Sequence, residues 1–193
     1  MPHKPRLLAL AGSLRTDSIN KKLIRAAGEA AQSAGGEVTL IDLRDYPLPI
    51  FDGDHEVAHG LPDNARKLKE LFLAHQGLLI ASPEYNSSVT AVLKNTIDWV
   101  SRPLPGEVYL APFHDKVAAL LSASPGALGG LRGLVHLRAI LGNIGVLVLP
   151  DQLAIPLAHE AFDSNGRLKD SKKQAELERI ASRLVSVTGR HHA

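Results

Sequence analysis

Five short apolar runs, each closed by a turn signal and each followed downstream by a stretch of helical spacing, constrain the fold of this 193-residue chain more than any other feature. The runs are Arg6-Leu7-Leu8-Ala9-Leu10-Ala11, Glu37 to Asp42, Leu78 to Ala81, Lys116 to Leu121 and Val146 to Leu149. Such short, nearly continuous apolar segments suit parallel strands covered on both faces. Between the first two, Ile19 to Ala34 puts Leu23, Ala27, Ala30 and Ala34 on one side and Lys21, Lys22, Arg25 and Glu29 elsewhere, which is helical spacing. Gly35-Gly36 stops that helix. Further helices are expected from Leu61-Pro62-Asp63-Asn64 to His75, from Val89 to Val100, from Leu131 to Leu141 and from Ser171 to Val187. In the third of these helices, Val92, Leu93, Thr96, Ile97 and Val100 share a face, leaving Lys94, Asn95 and Asp98 outside. Leu43 to Leu61, with Pro47, Pro49, Gly53 and four acids, reads as surface loop, and Pro150 reads as the end of the last strand.

Strands alternating with helices imply one parallel sheet with helices on both faces and right-handed crossovers. Five strands favour the order 2-1-3-4-5, the flavodoxin-like three-layer α/β sandwich, over the six-strand dinucleotide-binding arrangement. Residues 1–193 are expected to form a single domain. In that order ligands bind at the carboxyl ends of strands 1 and 3, where the loops after strands 1, 3 and 4 converge.

Composition narrows the chemistry. With no cysteine there is no thiolate catalysis, no disulfide and no Cys-ligated metal, so redox work would fall to a bound cofactor. Nine histidines show no metal-ligand spacing, and no metal is expected. Lys and Arg are spread along the chain at a formal charge of +2, which speaks against nucleic acid. No apolar run reaches membrane-spanning length and no leader pattern opens at Met1, so a cytoplasmic protein without a membrane partner is expected.

The first loop, Ala11 to Asn20, lacks both GxxxxGK[ST] and GxGxxG. It offers hydroxyls from Ser13, Thr16 and Ser18, the Asn20 amide and the Arg15 guanidinium beside a helix N-terminus, a set that suits a phosphate monoester. No acid follows Asp17 until Glu29, while Lys21 and Lys22 lie in the first turn, against the usual bias of helix starts. The alternative is that Asp17 or Ser18 is only an N-cap and Arg15 a solvated charge. The second loop, Pro83-Glu84-Tyr85-Asn86, brings a rigid turn, an aromatic ring and an amide that could cover a flat heteroaromatic group, although Tyr85 alone also suits half-buried packing. In the third, Gly126, Gly129 and Gly130 either let backbone approach that group or form a plain turn.

Together these residues resemble the NADPH-dependent FMN reductases of flavodoxin-like fold, which include bacterial quinone, chromate and azo-dye reductases. The resemblance rests on Gly12-Ser13-Leu14-Arg15 with Ser18 and Asn20, on Pro83-Glu84-Tyr85-Asn86-Ser87 running into Leu93-Lys94-Asn95-Thr96-Ile97-Asp98-Trp99 and Ser101-Arg102-Pro103, and on Ser124-Pro125-Gly126 with Gly129-Gly130. It implies FMN, with the phosphate held by Ser13, Arg15, Ser18, Ile19 and Asn20, the serines and asparagine by side chain or backbone. It implies that Pro83, Glu84, Tyr85, Asn86 and Ser87 line the isoalloxazine ring, and that Ser124 and Gly126 lie on its other edge. NADPH or NADH would deliver hydride to the flavin and leave before a small-molecule acceptor binds, a ping-pong scheme that requires no protein catalytic residue. Ser88 and Thr96 depart from the family pattern, and Ser88 bears on pocket size.

A homodimer or homotetramer is expected, from the resemblance and from Trp99 and Arg102, read as an exposed aromatic with an arginine. Asp52 and Glu56, on the long loop, would then border the neighbour's active site, the alternative being a solvated loop. Two other readings stay open at this point: a flavodoxin-type electron carrier, against which the pI near 8.9 speaks, and a phosphate-ligand binder with no flavin.

Overall fold

Strand β1 (Arg6–Ala11) carries apolar side chains at every position after Arg6, and its pleat sends them alternately into two cores. A computed structural model describes residues 4–193, so the expectation at Met1 concerns residues outside this range. Leu7, Ala9 and Ala11 enter one core, Leu8 and Leu10 the other. Helix α1 (Ile19–Ser33) follows, then β2 (Glu37–Ile41). After β2 come the short helix α2 (Gly53–His59), α3 (Asp63–Ala74) and β3 (Gly77–Ala81). The chain continues through α4 (Ala91–Val100), β4 (Val117–Ala123), α5 (Leu131–Asn143), β5 (Leu147–Ile155) and α6 (Ser171–His191).

All four strand pairs are parallel and the order is β2-β1-β3-β4-β5, the expected flavodoxin-like arrangement. Leu23 and Ala27 of α1 pack with Leu177, Ile180 and Leu184 of α6 on one face. The other face receives Leu68 and Phe72 from α3, Leu93, Ile97 and Val100 from α4, and Leu134, Leu137 and Leu141 from α5. A sheet covered on both faces explains why its strands read as continuous apolar runs.

Three features depart from the sequence reading. The segment between β2 and α3 is not all loop, because it contains a 3-10 turn at Leu43–Asp45 as well as α2. The Asp52 side chain caps α2 by accepting from Asp54 N–H, Glu56 sits in its first turn, and Gly60 at φ 73° ends it. These are ordinary helix boundaries compressed into seven residues. Second, β5 does not stop at Pro150. The ladder shifts register between Ala118 and Leu120, so a bulge carries the edge strand through the proline to Ile155. Arg138 of α5 donates to Leu149 O at 2.7 Å, a residue that the bulge leaves out of the ladder, and to Gln152 Oε1 at 3.0 Å.

Third, Trp99 is not exposed. It is fully buried, its Nε1–H donates to Pro49 O at 2.8 Å, and its ring meets the Phe51 ring edge-on at 4.9 Å. Asn95, expected to face solvent, accepts from Phe51 N–H and donates to Pro49 O, so α4 holds the 49–51 segment against itself. Arg102 donates from Nε to both oxygens of Glu56 at 2.9 Å. These groups are paired within the chain, which removes the argument for an interface built on Trp99 and Arg102 and leaves Glu56 engaged.

Gly77 opens β3 opposite Leu7 on one side and Val117 on the other. A β-carbon there would collide with Leu7 Cδ2 and come within 3.0 Å of Thr188 Oγ1. Gly77→Ala is therefore expected to cost about 1–3 kcal/mol by overpacking, read as a lower urea midpoint with an unchanged slope. Its distance from the strand carboxyl ends predicts unaltered ligand binding there.

Candidate functional site

The loops after β1, β3 and β4 meet at the carboxyl ends of those strands. The first leaves β1 with Gly12 N–H donating to Ala81 O at 2.9 Å, which extends the ladder by one bond. Thr90 then fixes the loop from above: its hydroxyl donates to Gly12 O at 2.7 Å and, as the N-cap of α4, accepts from Leu93 N–H at 3.3 Å. A β-carbon on Gly12 would lie 3.1 Å from Leu93 and 3.2 Å from Thr90 Oγ1, so the close approach depends on glycine. Ser13 is buried, and its hydroxyl accepts from Arg15 N–H.

Helix α1 begins without a side-chain cap. Ser18 occupies the N-cap position, yet its hydroxyl makes no capping bond, and Asp17 accepts no hydrogen bond among the described residues. The N–H groups of Ser18, Ile19 and Asn20 likewise have no partner among the described residues. A helix N-terminus left open in this way binds anions. The capping alternative for Asp17 and Ser18 is therefore not what the structure holds.

Several side chains counted for the cradle are engaged elsewhere. Asn20 is buried and grips the backbone of Ala123: its Nδ2 donates to Ala123 O at 2.8 Å and its Oδ1 accepts from Ala123 N–H at 2.9 Å. Only its main-chain N–H faces a ligand need. Thr16 accepts from Arg44 at 2.6 Å. Lys21 pairs with Asp42 at 2.6 Å, so its charge in the first turn of α1 is neutralised within the protein. Burial pushes the Asp42 carboxyl up, but hydrogen bonds from Lys21 and from Arg44 N–H, with both positive charges, hold it below its ordinary value.

The second loop is a tight hairpin. Tyr85 and Ser88 exchange both main-chain hydrogen bonds at 3.0 Å, and Asn86 and Ser87 between them have φ of 49° and 66°. Two central residues with positive φ are what a two-residue turn of the I′ kind requires. Asn tolerates that conformation, whereas Ser is held there by its surroundings. Glu84 supplies the holding. Its nearly buried carboxylate accepts from Arg132 Nε and Nη2 at 2.9 and 2.6 Å and from Gly133 N–H at 3.1 Å, at the start of α5. Burial raises the Glu84 carboxyl, and the bonds from Arg132 and Gly133 more than reverse this, leaving its pKa lowered. His136, one turn further along α5, lies 2.9 Å from the Ser88 hydroxyl.

In the third loop, Ser124 Oγ accepts from Gly126 N–H at 3.2 Å, while Ser124 N–H donates to Ile155 O and Ser124 O accepts from Ala158 N–H. Gly129 and Gly130, at φ 62° and 90°, are glycines for packing reasons: side chains there would strike the Ile155–Pro156 backbone and the Ser122 hydroxyl. They bring the loop close to β4 and β5.

One cleft gathers the expected residues Ser13, Arg15, Ser18, Ile19 and Asn20 on one side and Pro83, Glu84, Tyr85 and Ser124 on the other. Ala123 and Pro125 complete its walls; Pro125 belongs to the Ser124-Pro125-Gly126 motif quoted above, whereas Ala123 was not singled out in the sequence. Asn86, Ser87 and Gly126 do not line it. The first two form the hairpin tip, where their N–H groups have no partner among the described residues. The arrangement offers an anion three open amides and a guanidinium, and offers a flat group an aromatic ring, two prolines and turn amides. Thr90 and Arg132, which fix two of the loops, were missed. A Thr before a helix is a legible cap signal, but the long-range bond to Gly12 has no sequence signature.

The sequence pattern of the NADPH-dependent FMN reductases matches residues 5–160. An NAD(P)H-dependent FMN reductase of Pseudomonas aeruginosa is 38% identical over 168 residues, covering 86% of each chain. An NADPH:quinone oxidoreductase of Arabidopsis thaliana is 35% identical over 188 residues, covering 95% of this chain and 91% of its own. Among solved structures, FerB of Paracoccus denitrificans, a flavoenzyme NAD(P)H:(acceptor) oxidoreductase, superposes with a TM-score of 0.81 at 27% identity, over 98% of this chain and 99% of its own.

Glu84→Gln should separate the hairpin anchor from cleft chemistry. Because the folded carboxyl titrates below its ordinary 4.5, its contribution is complete above that pH and is lost as pH falls through the lowered value. The variant is expected to be less stable than wild type by about 1–3 kcal/mol at pH 7, with a gap that narrows below about pH 4.5. Urea melts across that range measure it, and a constant gap would contradict the assignment.

Proposed function

The chain belongs to the NADPH-dependent FMN reductase family, and from that premise we propose that it is an oxidoreductase passing hydride from NADPH or NADH, through FMN held in the three-loop cleft, to a quinone or related small molecule. The single observation that carries this reading is the uncapped start of α1, where the N–H groups of Ser18, Ile19 and Asn20 stand open beside Arg15. A phosphate monoester fits such a cradle, because a compact dianion accepts from several amides at once and meets the positive end of the helix. FMN, when bound, supplies a hydride carrier whose chemistry lets the donor leave before the acceptor arrives.

The residues of this chain then bind and orient. Ser13, Arg15, Ser18, Ile19 and Asn20 hold the phosphate, Asn20 through its main-chain N–H because its side chain is committed to Ala123. Pro83, Glu84, Tyr85, Asn86 and Ser87 frame the ring, Glu84 by fixing the hairpin through Arg132. Ser124 and Gly126 border the opposite edge. The open N–H groups of Asn86 and Ser87 are donors suited to negative charge developing on a ring beside them. No side chain is assigned as a catalytic acid or base.

Quinones, azo compounds and chromate are the proposed acceptors. A homodimer or homotetramer remains the proposed assembly, supported by the exposed Leu131 and Val135, one turn apart on α5, in place of Trp99. A cytoplasmic location is proposed on the same footing; no helix of the described residues is long and apolar enough to cross a membrane.

The test is direct. FMN added to the protein should lose fluorescence, and the loaded protein should oxidise NADPH or NADH when a quinone is present. Oxidation of neither would favour an electron carrier, and absence of any flavin binding would remove the reading altogether. Arg15→Ala should weaken FMN by about 1.5 kcal/mol, the low end for a charge-assisted bond because Arg15 is exposed, and leave riboflavin unchanged. Equal losses for the two flavins would place Arg15 away from the phosphate.

A further inference from the structure

A second cleft, of about 480 Å³, lies between α1 and the turn that follows β5. It adjoins the first at two points. Ile19 lines both clefts, and Ala158, in the wall of the second, donates its N–H to O of Ser124, in the wall of the first, at 3.0 Å. Lys22, Arg25 and His159 line it, and none makes an ion pair or side-chain hydrogen bond among the described residues. Lys22 and Arg25 stand about 4.5 and 9 Å along the α1 axis from Ile19, and Glu29, the acid on the same helix, about 15 Å. The positive charges are therefore at the end nearest the first cleft. Asp163, the other acid in the lining, accepts from Asn165 and Arg167 N–H groups at 2.9 Å and is turned into its own loop. Phe162, partly buried against the core, supplies an aromatic wall.

Unpaired cations in the first two turns of a helix are a local cost, since they repel the positive end of the helix and one another. Lys21 escapes that cost through Asp42, whereas Lys22 and Arg25 have no such partner. An aromatic wall with two cationic side chains and an imidazole recognises a purine nucleotide carrying a phosphate besides its backbone ones.

We infer that this cleft is the subsite for the adenosine 2′-phosphate end of NADPH, with Phe162 against the base and Lys22, Arg25 and His159 around the phosphate. The inference rests on the reductase reading for its orientation, the nicotinamide lying over the first cleft and the dinucleotide crossing the Ile19 ridge. It assigns the discrimination between NADPH and NADH to side chains outside the flavin cradle.

The experiment is calorimetric titration of the FMN-loaded protein with adenosine 2′,5′-bisphosphate and with AMP. The bisphosphate should bind about tenfold more tightly, and Lys22→Ala with Arg25→Ala should erase that gap while leaving AMP binding and FMN content unchanged. Phe162→Ala should weaken both probes alike. In steady state the double variant should raise KM for NADPH about tenfold, with KM for NADH and both kcat values unaltered. Equal binding of the two probes, binding of neither, or a bisphosphate affinity indifferent to the double substitution overturns the inference. A protein that binds the bisphosphate yet oxidises neither nucleotide keeps this subsite and loses the reductase reading. One that oxidises both nucleotides with the same KM, before and after substitution, keeps the reading and loses the subsite.

Discussion

The bond pair between Asn20 and the Ala123 backbone is the constraint on which the rest of the site depends. It ties the first turn of α1 to the last residue of β4, spanning the position of β3 between β1 and β4 in the sheet. Without it the start of α1 would be free to tilt, and its unpartnered amides would have no fixed relation to the third loop. Both partners are buried, so breaking the pair would strand two main-chain groups and two side-chain groups away from water, a penalty far above the net worth of the bonds. The Thr90–Gly12 bond acts in the same way from the other face of the sheet. The two contacts hold the first loop between α4 and β4 without any ligand.

The second loop is held by different physics. Its tip has two consecutive residues in the left-handed region, one of them Ser87, a conformation with an inherent cost. The Glu84–Arg132 pair offsets it only because the carboxylate is nearly buried and also takes the Gly133 amide, leaving little of its charge unpartnered. Gly133 favours this approach: a β-carbon there would lie 3.1 Å from Ser88 O and 3.4 Å from Glu84 Cβ, and the hairpin would have to give by a few tenths of an ångström. Side chain, helix start and hairpin form one unit, and Glu84 belongs to that unit more than to the cleft.

The strand order, the buried faces and the meeting of three loops were legible because they follow from apolar periodicity and from crossover rules, which are local and general. What sequence reading missed depends on partners far apart in the chain. Trp99 looked exposed because it falls just off the apolar stripe of α4, but the 49–51 segment folds over that flank and accepts its N–H. Pro150 looked like a strand end because proline cannot donate to a ladder, and the bulge, supported by Arg138 from α5, removes the need for it to donate. Asn20 looked like a ligand donor because an amide at a helix start usually faces outward. In each case the residue type was read correctly and its partner lay 12 to more than 100 positions away.

The charge pattern of α1 resolves in the same way. Its first turn carries no acid, and the run of Lys21 and Lys22 looked like a single inversion of the usual bias. The structure divides that run. Lys21 is buried and neutralised by Asp42, so it is part of the fold. The amides of Ser18 to Asn20, Arg15, Lys22 and Arg25 are not neutralised by any described group, and they all lie along one end and one flank of the helix. A protein that leaves so much positive potential unopposed at one helix end gives up stability in the free state, which anions binding only the folded chain return as RT ln(1 + [L]/Kd). On the proposed reading, the same arrangement would draw negatively charged ligands to the cleft before any specific contact forms. On that reading, the unneutralised part of the pattern is the part that serves ligands, and the flank it occupies leads from one cleft to the other.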